Sequence, residues 1–170
     1  VFVILDNVKY RKNYFQNRNR FLNRSGKDEW FTVPVEKNAT SKLIKNVKVS
    51  SNKVWRRKLI TKIKQNMDID VSSIYDSEKL IDINMKSIKW CMKQLNIEKE
   101  IVMASDLDVS GTKTELLVDI CNQLKAEKYL SGPSGKDYLD MNLFGNIDVS
   151  FFEPKVENYY SALYNVSIRG

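Results

Sequence analysis

Runs of apolar residues predict three strands in the first third of the chain. The first run, Val1 to Leu5, is continuous and ends in Asp6, which is the pattern of a strand covered on both faces. Aromatic residues and valines predict a second strand over residues 29–36, part of it at a sheet edge because of its proline. Alternating valines predict a short third strand over residues 43–50.

Helical spacing of apolar residues follows in the next two segments. In the stretch 51–66, Trp55, Leu59 and Ile63 lie on one side of a predicted helix whose other side is basic. Residues 76–96 repeat apolar side chains at spacings of four, three, four and three, which predicts a long helix. Its predicted apolar face consists of Ile81, Met85, Ile88, Met92 and Leu95.

Strands and helices alternate in the remainder of the chain. A strand over residues 100–107 is followed by Thr112 and Glu115, whose spacing predicts a capping box at the start of a helix over 113–125. The segments after it predict a strand over 128–130, a helix over 136–144 and a strand over 147–154. Two consecutive βαβ units of this kind imply parallel strands joined by right-handed crossovers.

These elements predict an α/β fold. We expect a mostly parallel sheet with βαβ units in the C-terminal half and antiparallel or edge strands in the N-terminal half. The chain has 170 residues, of which 42% are hydrophobic and 29% charged, and this length favours a single domain over residues 1–170. No apolar run is long enough to cross a membrane, so we expect a cytoplasmic protein.

The residue inventory narrows the chemistry. The chain contains no histidine, which excludes serine–histidine and cysteine–histidine catalysis and removes the commonest zinc ligand. Cys91 and Cys121 do not have the spacing of a metal site, and both fall within apolar helical patterns. We expect both thiols to be buried and inert, and we predict no metal site.

Positive charge is concentrated near the start of the chain. Residues 1–64 contain 17 Lys or Arg against 4 Asp or Glu, whereas residues 65–170 contain 11 against 17. This distribution is compatible with a solvated basic helix or with a surface for nucleotide phosphates, nucleic acid or an acidic carrier protein. Nucleic acid is disfavoured, because charge alone reports nonspecific attraction.

The segment YLSGPSGKDYLD, residues 129–140, predicts a ligand-binding loop. Gly132 and Gly135 allow the backbone to turn sharply and approach a bound group, and Ser134, Lys136 and Tyr138 supply donors. A phosphate or carboxylate would fit such a loop. The same pattern is also compatible with a plain strand-to-helix turn.

Polar residues also follow other predicted strands. Ligands of open α/β sheets bind beyond the carboxyl ends of the strands, so we expect the candidate residues to meet the Gly132 loop at a common edge. The candidates that follow the first strand are Asp6, Tyr10, Lys12, Asn17, Arg18 and Asn19. Those at the end of the strand at 100–107 are Ser105 and Asp106.

Together these segments resemble the WbqC-like family of bacterial proteins. The resemblance covers residues 1 to about 165 and depends on VFVILDNVKYRKNYFQNRNRF, WFTVPV, VWRRKL, SDL, YLSGPSGKDYLD and IDVSFFEP, in that order. It implies a role in O-antigen, lipopolysaccharide or other surface polysaccharide synthesis. Compared with such proteins the chain starts about one strand and one loop late, beyond a His-Gln-Pro type segment, so we expect an incomplete N-terminus.

The resemblance implies a transferase as the leading class, with acyl or aminoacyl transfer to a nucleotide-linked amino sugar from an activated acyl donor. In this hypothesis Lys136 and the amides near Ser134 bind phosphate, Arg18 pairs with an anionic oxygen, and Asn17 and Asn19 bind sugar hydroxyls. Asp6 or Asp106 would be the catalytic base. Both carboxylates could instead cap a loop or helix. The alternatives are a non-catalytic ligand- or carrier-binding protein of the same pathway and a nonspecific nucleic-acid binder.

Overall fold

The computed structural model describes residues 1–153 and 160–168, which divide into two units. Residues 1–5 and 101–153 carry 4 Lys or Arg against 9 Asp or Glu, a net charge of −5, and we call them the acidic unit. Residues 6–100 and 160–168 carry 22 against 11, a net charge of +11, and we call them the basic unit. The organisation as one domain stays a prediction.

The acidic unit contains two parallel strand pairs and one helix. Strand β1 (Phe2–Ile4) pairs in parallel with β4 (Ile101–Met103), with Val3 opposite Val102. Strand β5 (Lys128–Ser131) pairs in parallel with β6 (Asp148–Phe151). Helix α3 (Lys113–Gln123) lies between β4 and β5 in the sequence and begins with the predicted Thr112–Glu115 capping box. The prediction that both faces of the first strand are covered was wrong, because Phe2 is exposed.

The segment between β5 and β6 contains no α-helix, so the helix predicted over residues 136–144 was wrong. Its backbone forms two 3₁₀ turns, Pro133–Asp137 and Met141–Phe144. The Asp140 side chain accepts a hydrogen bond from the Asn142 amide at the start of the second turn. Short polar side chains that bond to nearby backbone in this way favour turns over a continuous helix.

The basic unit begins with an antiparallel hairpin. Strand β2 (Arg18–Leu22) pairs with β3 (Asp28–Thr32), and Asn23 closes the turn by accepting hydrogen bonds from the amides of Ser25 and Lys27. Gly26 has φ +72°, a conformation that glycine adopts without strain. Strand β2 was absent from the prediction because its sequence, RNRFL, does not alternate polar and apolar residues. Mixed parallel and antiparallel pairing confirms the predicted α/β class.

Three helices complete the described part of the basic unit: α1 (Val54–Met67), α2 (Leu80–Gln94) and α4 (Ala162–Ser167). Leu59 and Ile63 of α1 are buried, as predicted. Helix α2 begins four residues later than the predicted start at residue 76. Its fully buried residues differ from the predicted face, of which only Ile81 is buried and Leu95 is exposed. The buried residues of α2 are Leu80, Ile81, Ile83 and Cys91.

Residues 43–50 do not form the predicted strand. Residues Ile44–Asn46 form a 3₁₀ turn, and single bridges join Val49 to Val35 and Lys48 to Lys79. Val47 and Val49 are buried, as their alternation suggested. The Val49 amide donates to Glu78 O and Val47 O accepts from the Leu80 amide, while Lys48 O and the Ser50 amide bond to residues 34–36, so the segment pairs only through isolated bridges. The alternation therefore reported burial rather than sheet pairing.

Candidate functional site

A cleft of about 360 Å³ lies within the basic unit, between the loop before β2, one side of α2 and the start of α4. This volume is in the usual range for small-molecule sites. Its wall is largely apolar, with several amide and hydroxyl groups and one charged side chain among the described lining residues. These residues are Phe15, Gln16, Asn17, Arg18, Asn19, Phe31, Val33, Tyr75, Ile83, Asn84, Ser87, Ile88, Cys91, Met92, Leu95, Ser161, Ala162 and Leu163.

Hydrogen bonds hold the loop that forms one side of the cleft. The Gln16 side chain accepts from the Arg11 amide at 2.7 Å, and Gln16 O accepts from the Asn84 Nδ2 of α2 at 3.0 Å. Asn13 has φ +60°, a left-handed conformation that asparagine tolerates, and its carbonyl accepts a hydrogen bond from Arg18 Nη2. The loop is therefore fixed at both ends and to the helix opposite it.

Asn17, Arg18 and Asn19 lie together in the cleft wall, as the sequence hypothesis requires of sugar- and anion-binding residues. Asn17 Nδ2 donates to Val33 O at 2.9 Å, and Asn19 Oδ1 accepts from the Arg20 amide. Asn17 Oδ1 and Arg18 Nε are buried without a hydrogen-bond partner within the described part of the chain. Buried polar atoms of this kind are costly unless something satisfies them, but Asn7 Oδ1, Arg20 Nε and Arg56 Nε share the property outside the cleft, so it does not single out the cleft.

Two ionisable groups in the wall are held neutral. Burial raises the pKa of the Tyr75 hydroxyl far above its ordinary value of 10, and the nearby Cys91 thiol adds to the shift. Burial raises the pKa of the Cys91 thiol to about 11. A protonated thiol is a poor nucleophile, so Cys91 contributes apolar surface to the cleft rather than reactivity. Cys121, in the acidic unit, is buried as well, so the predicted burial of both cysteines is confirmed.

The other candidates near the start of the chain differ in exposure. Asp6 is 2% exposed, and its carbonyl accepts from the Lys45 amide at 2.9 Å. Tyr10 is buried, and burial raises the pKa of its hydroxyl while the positive charge of Arg18 opposes the shift. Lys12 is exposed. Asp6, Tyr10 and Lys12 are not among the described residues that line the cleft.

In the acidic unit, the candidates lie on two 3₁₀ turns that follow strands. Ser105 is half-buried and Asp106 is exposed, both in the turn Ala104–Asp106 after β4. Gly132, Ser134, Lys136 and Tyr138 are exposed at the turn after β5. The Lys136 ammonium pairs with the Glu153 carboxylate at 3.1 Å. That these turns meet the residues around Asp6 stays a prediction.

Gly135 is explained by packing. A Cβ placed on it would lie 2.1 Å from Ser131 Oγ, 3.0 Å from Leu139 Cδ1 and 3.1 Å from Phe151 Cε1. The turn therefore closes directly onto the ends of β5 and β6, and only glycine fits. Gly132 has nothing within 4 Å of such an atom, so close approach to the loop from outside is open at that position.

A second cleft, of about 480 Å³, lies within the acidic unit and is lined by β1, α3 and β5. Nearly all its described lining residues are apolar, with Lys128 and Tyr129 as exceptions. Burial raises the pKa of both the Cys121 thiol and the Tyr129 hydroxyl in its wall. Chemically it is an apolar groove, in contrast to the cleft of the basic unit.

The model of the WbqC-like protein family matches residues 1–166. The chain belongs to the WbqC-like family. This WbqC-like protein is also similar to the uncharacterized protein Rv1507c of Mycobacterium tuberculosis (strain H37Rv), with 26% identity over 161 residues. The aligned region covers 87% of this chain and 69% of Rv1507c. No solved structure matches the chain.

The cleft of this WbqC-like protein is suited to binding. It offers amide and hydroxyl hydrogen bonds, one guanidinium and a large apolar surface, while its described lining residues include no carboxylate. Within residues 1–153 and 160–168, no group of three acidic or cysteine side chains is arranged to hold a metal ion. No helix in the same residues has the length and apolar character needed to cross a membrane.

Sequence reasoning missed Tyr75, Asn84, Ser87 and Ser161 as lining residues. Asn84 and Ser87 interrupt the apolar face of α2 at a spacing of three, and Cys91 follows one turn later. Polar side chains on the half-buried side of an amphipathic helix are a signal for a cleft beside that helix. Ser161 had no such signal, because its position depends on the backbone bond from its amide to Arg20 O.

Proposed function

We propose that this WbqC-like protein binds a nucleotide-linked amino sugar of bacterial surface polysaccharide (O-antigen) synthesis and transfers an acyl or aminoacyl group to it. The pathway comes from the family resemblance, and the reaction class comes from the acyl decorations that surface amino sugars carry. The observation that carries the proposal is the cleft of the basic unit, where Asn17, Arg18 and Asn19 line one wall. Amide side chains are suited to sugar hydroxyls and a guanidinium to an anionic oxygen.

In this proposal the acceptor amine attacks the carbonyl carbon of an activated acyl donor, the C–N bond forms and the bond to the leaving group breaks. Asp6 is the proposed base that takes the amine proton. We choose it over Asp106 because Asp6 belongs to the basic unit, as the cleft does, although it is not among the described lining residues, whereas Asp106 belongs to the acidic unit. The turn with Ser134, Lys136 and Tyr138 is a separate proposed anion site within the acidic unit.

Calorimetric titration with UDP-glucosamine tests the binding part. We expect saturable binding that is weakened about tenfold or more by Arg18→Ala, because a hydrogen bond to a charged group contributes roughly 1.5–3 kcal/mol. Asn84→Ala should weaken binding as well. The matched control is Arg57→Ala, which removes the same charge from an exposed position of α1. Equal losses for Arg18→Ala and Arg57→Ala would reject the cleft as the site.

Mass spectrometry tests the transfer part. UDP-glucosamine is incubated with acetyl coenzyme A and the protein, and the product should gain the mass of one acetyl group. Asp6→Asn should abolish the gain while binding of UDP-glucosamine remains. Binding without any mass gain, across acyl and aminoacyl donors, would contradict transfer by this chain.

A non-catalytic binding protein of the same pathway is the second candidate. A specific observation favours it: the described lining residues of the cleft include no carboxylate, and burial holds Tyr75 and Cys91 protonated at neutral pH. Such a cleft binds a ligand without supplying a proton acceptor. The two candidates differ in the mass spectrometric outcome and share the binding outcome.

A further inference from the structure

Three aromatic rings form a continuous exposed row beside the cleft of the basic unit. Tyr14, Phe15 and Trp30 have exposed fractions of 47%, 52% and 39%. The Tyr14 and Phe15 centroids are 5.8 Å apart, and those of Phe15 and Trp30 are 5.9 Å apart. We call these residues the aromatic row. Exposed aromatic surface of this extent is a mark of a binding surface.

Arginines accompany the row. Arg11 Cζ lies 4.6 Å from the Tyr14 centroid, and Arg18 Cζ lies 4.3 Å from the Trp30 centroid. Arg20 Cζ is 5.8 Å from the same indole, and its ion pair with Asp28 is long, at 3.9 Å. Stacking on a ring orients a guanidinium. Arg18 Nη2 already donates to Asn13 O and Arg18 Nε is buried, so an anion would pair with the remaining N–H groups of this guanidinium.

The row and the cleft share two residues. Phe15 and Arg18 belong to the row and its arginines, and both line the cleft. A ligand with one end in the cleft therefore continues onto the aromatic row. Flat rings next to guanidinium groups suit a molecule that joins a planar ring to phosphate, since bases stack on aromatic side chains and arginine pairs with phosphate oxygens.

We propose that the aromatic row and its arginines bind a nucleoside diphosphate, with the base stacked on Phe15 and the phosphates paired with Arg11 and Arg18. This inference rests on the proposed function and deepens it, because it assigns the nucleotide half of the ligand to the row and leaves the sugar half to the cleft. Base identity matters little to the site, since every base has a face that can stack.

The experiment titrates the chain calorimetrically with UDP, uridine and inorganic pyrophosphate. Phe15→Ala should weaken UDP binding about tenfold or more, which is within the range for removing one stacking partner, and leave pyrophosphate binding unchanged. Arg11→Ala should weaken the binding of both UDP and pyrophosphate and leave the binding of uridine unchanged. A variant that had merely lost structure would weaken all three ligands together.

Conservative and distant variants complete the test. Phe15→Tyr keeps a ring and should restore UDP affinity to within about twofold of the wild type. Phe152→Ala removes an exposed ring from the acidic unit and should change nothing. Phe15 is about half exposed, so its removal leaves the buried core intact.

The outcomes separate this inference from the proposed function. If UDP-glucosamine binds but UDP does not compete, or Phe15→Ala binds UDP as the wild type does, the inference is overturned and the proposed function stands. If UDP binds with the expected variant pattern but UDP-glucosamine binds no better than UDP and no acyl transfer occurs, the inference holds and the proposed function fails. Absence of saturable UDP binding at millimolar concentration overturns the inference.

Discussion

The basic and acidic units enclose clefts of different chemistry in surroundings of different packing. The seven largest side chains with less than 2% exposure all belong to the basic unit: Phe21, Ile63, Ile74, Leu80, Ile83, Val47 and Val71. Both units leave some large apolar side chains exposed, such as Phe2 and Leu130 in the acidic unit and Phe15 in the basic unit. The cleft with the amide, hydroxyl and guanidinium groups thus lies in the unit that holds these fully buried side chains. A rigid core holds hydrogen-bonding groups in place before a ligand arrives, which lowers the entropy cost of binding.

The largest expected effect comes from removing the most buried ring of the basic unit. Phe21 is fully buried beside Phe31, and Phe21→Ala should lower the free energy of unfolding by about 3–5 kcal/mol. Urea unfolding followed by tryptophan fluorescence measures it, since Trp30, Trp55 and Trp90 all lie in the basic unit.

Phe2→Ala in the acidic unit is the matched control for Phe21→Ala. Phe2 is 46% exposed, so Phe2→Ala should lower the free energy of unfolding by only about 1–2 kcal/mol. Urea unfolding followed by circular dichroism measures this change. Equal losses of unfolding free energy for Phe21→Ala and Phe2→Ala would contradict the inferred difference between the two units.

The next effect is a loss of stability at alkaline pH. Burial raises the pKa of the Cys91 thiol from 9.0 to about 11, so above pH 9 the unfolded chain releases a proton that the folded chain keeps. The contribution of the Cys91 thiol to the free energy of unfolding is fully present below pH 9. It falls by about 2–3 kcal/mol as the pH rises to 11.

Urea unfolding of the wild type and Cys91→Ala at pH 8, 9, 10 and 11 measures this contribution. The variant should show a shallower decline, and Cys121→Ala gives the corresponding comparison for the acidic unit. The same slope in Cys91→Ala and the wild type would assign the decline to Tyr75, whose pKa burial also raises.

A smaller effect tests the turn of the acidic unit. Gly135→Ala places a methyl group against Ser131, Leu139 and Phe151 and should cost about 1–3 kcal/mol, because overpacking forces neighbours to shift. Gly132→Ala, in open space three residues earlier, should change the free energy of unfolding by no more than about 1 kcal/mol. Circular dichroism in urea measures both. A costly Gly132→Ala with a neutral Gly135→Ala would refute the packing explanation.

The smallest effect on stability concerns Lys136. Its ion pair with Glu153 is exposed, so Lys136→Ala should change the free energy of unfolding by less than about 1 kcal/mol. Phosphate titration followed by NMR at the amides of Gly132 and Ser134 tests the proposed anion contact. Shifts should shrink in Lys136→Ala and grow in Glu153→Gln, which frees the ammonium. Unchanged shifts in both variants would reject this turn as an anion site.

Local sequence patterns were sufficient to predict the elements that depend mainly on local interactions. The Thr112–Glu115 capping box, helix α1 and the parallel strands of the acidic unit were all predicted. Asn17, Arg18 and Asn19 were selected from composition and strand position, and the structure places them in one wall. Each of these features depends on residues that are close in the sequence or on a strong apolar pattern.

The sequence by itself determined the α/β class, the basic first third and the burial of both cysteines. Only the tertiary structure decided that β2 is a strand, that residues 43–50 exchange hydrogen bonds with three separate neighbours, and that Asn84 and Ser87 line a cleft. The physical reason is that backbone pairing and cleft walls are formed by residues distant along the chain. Their hydrogen bonds and packing override local propensity, which reports burial and turn chemistry but not partners.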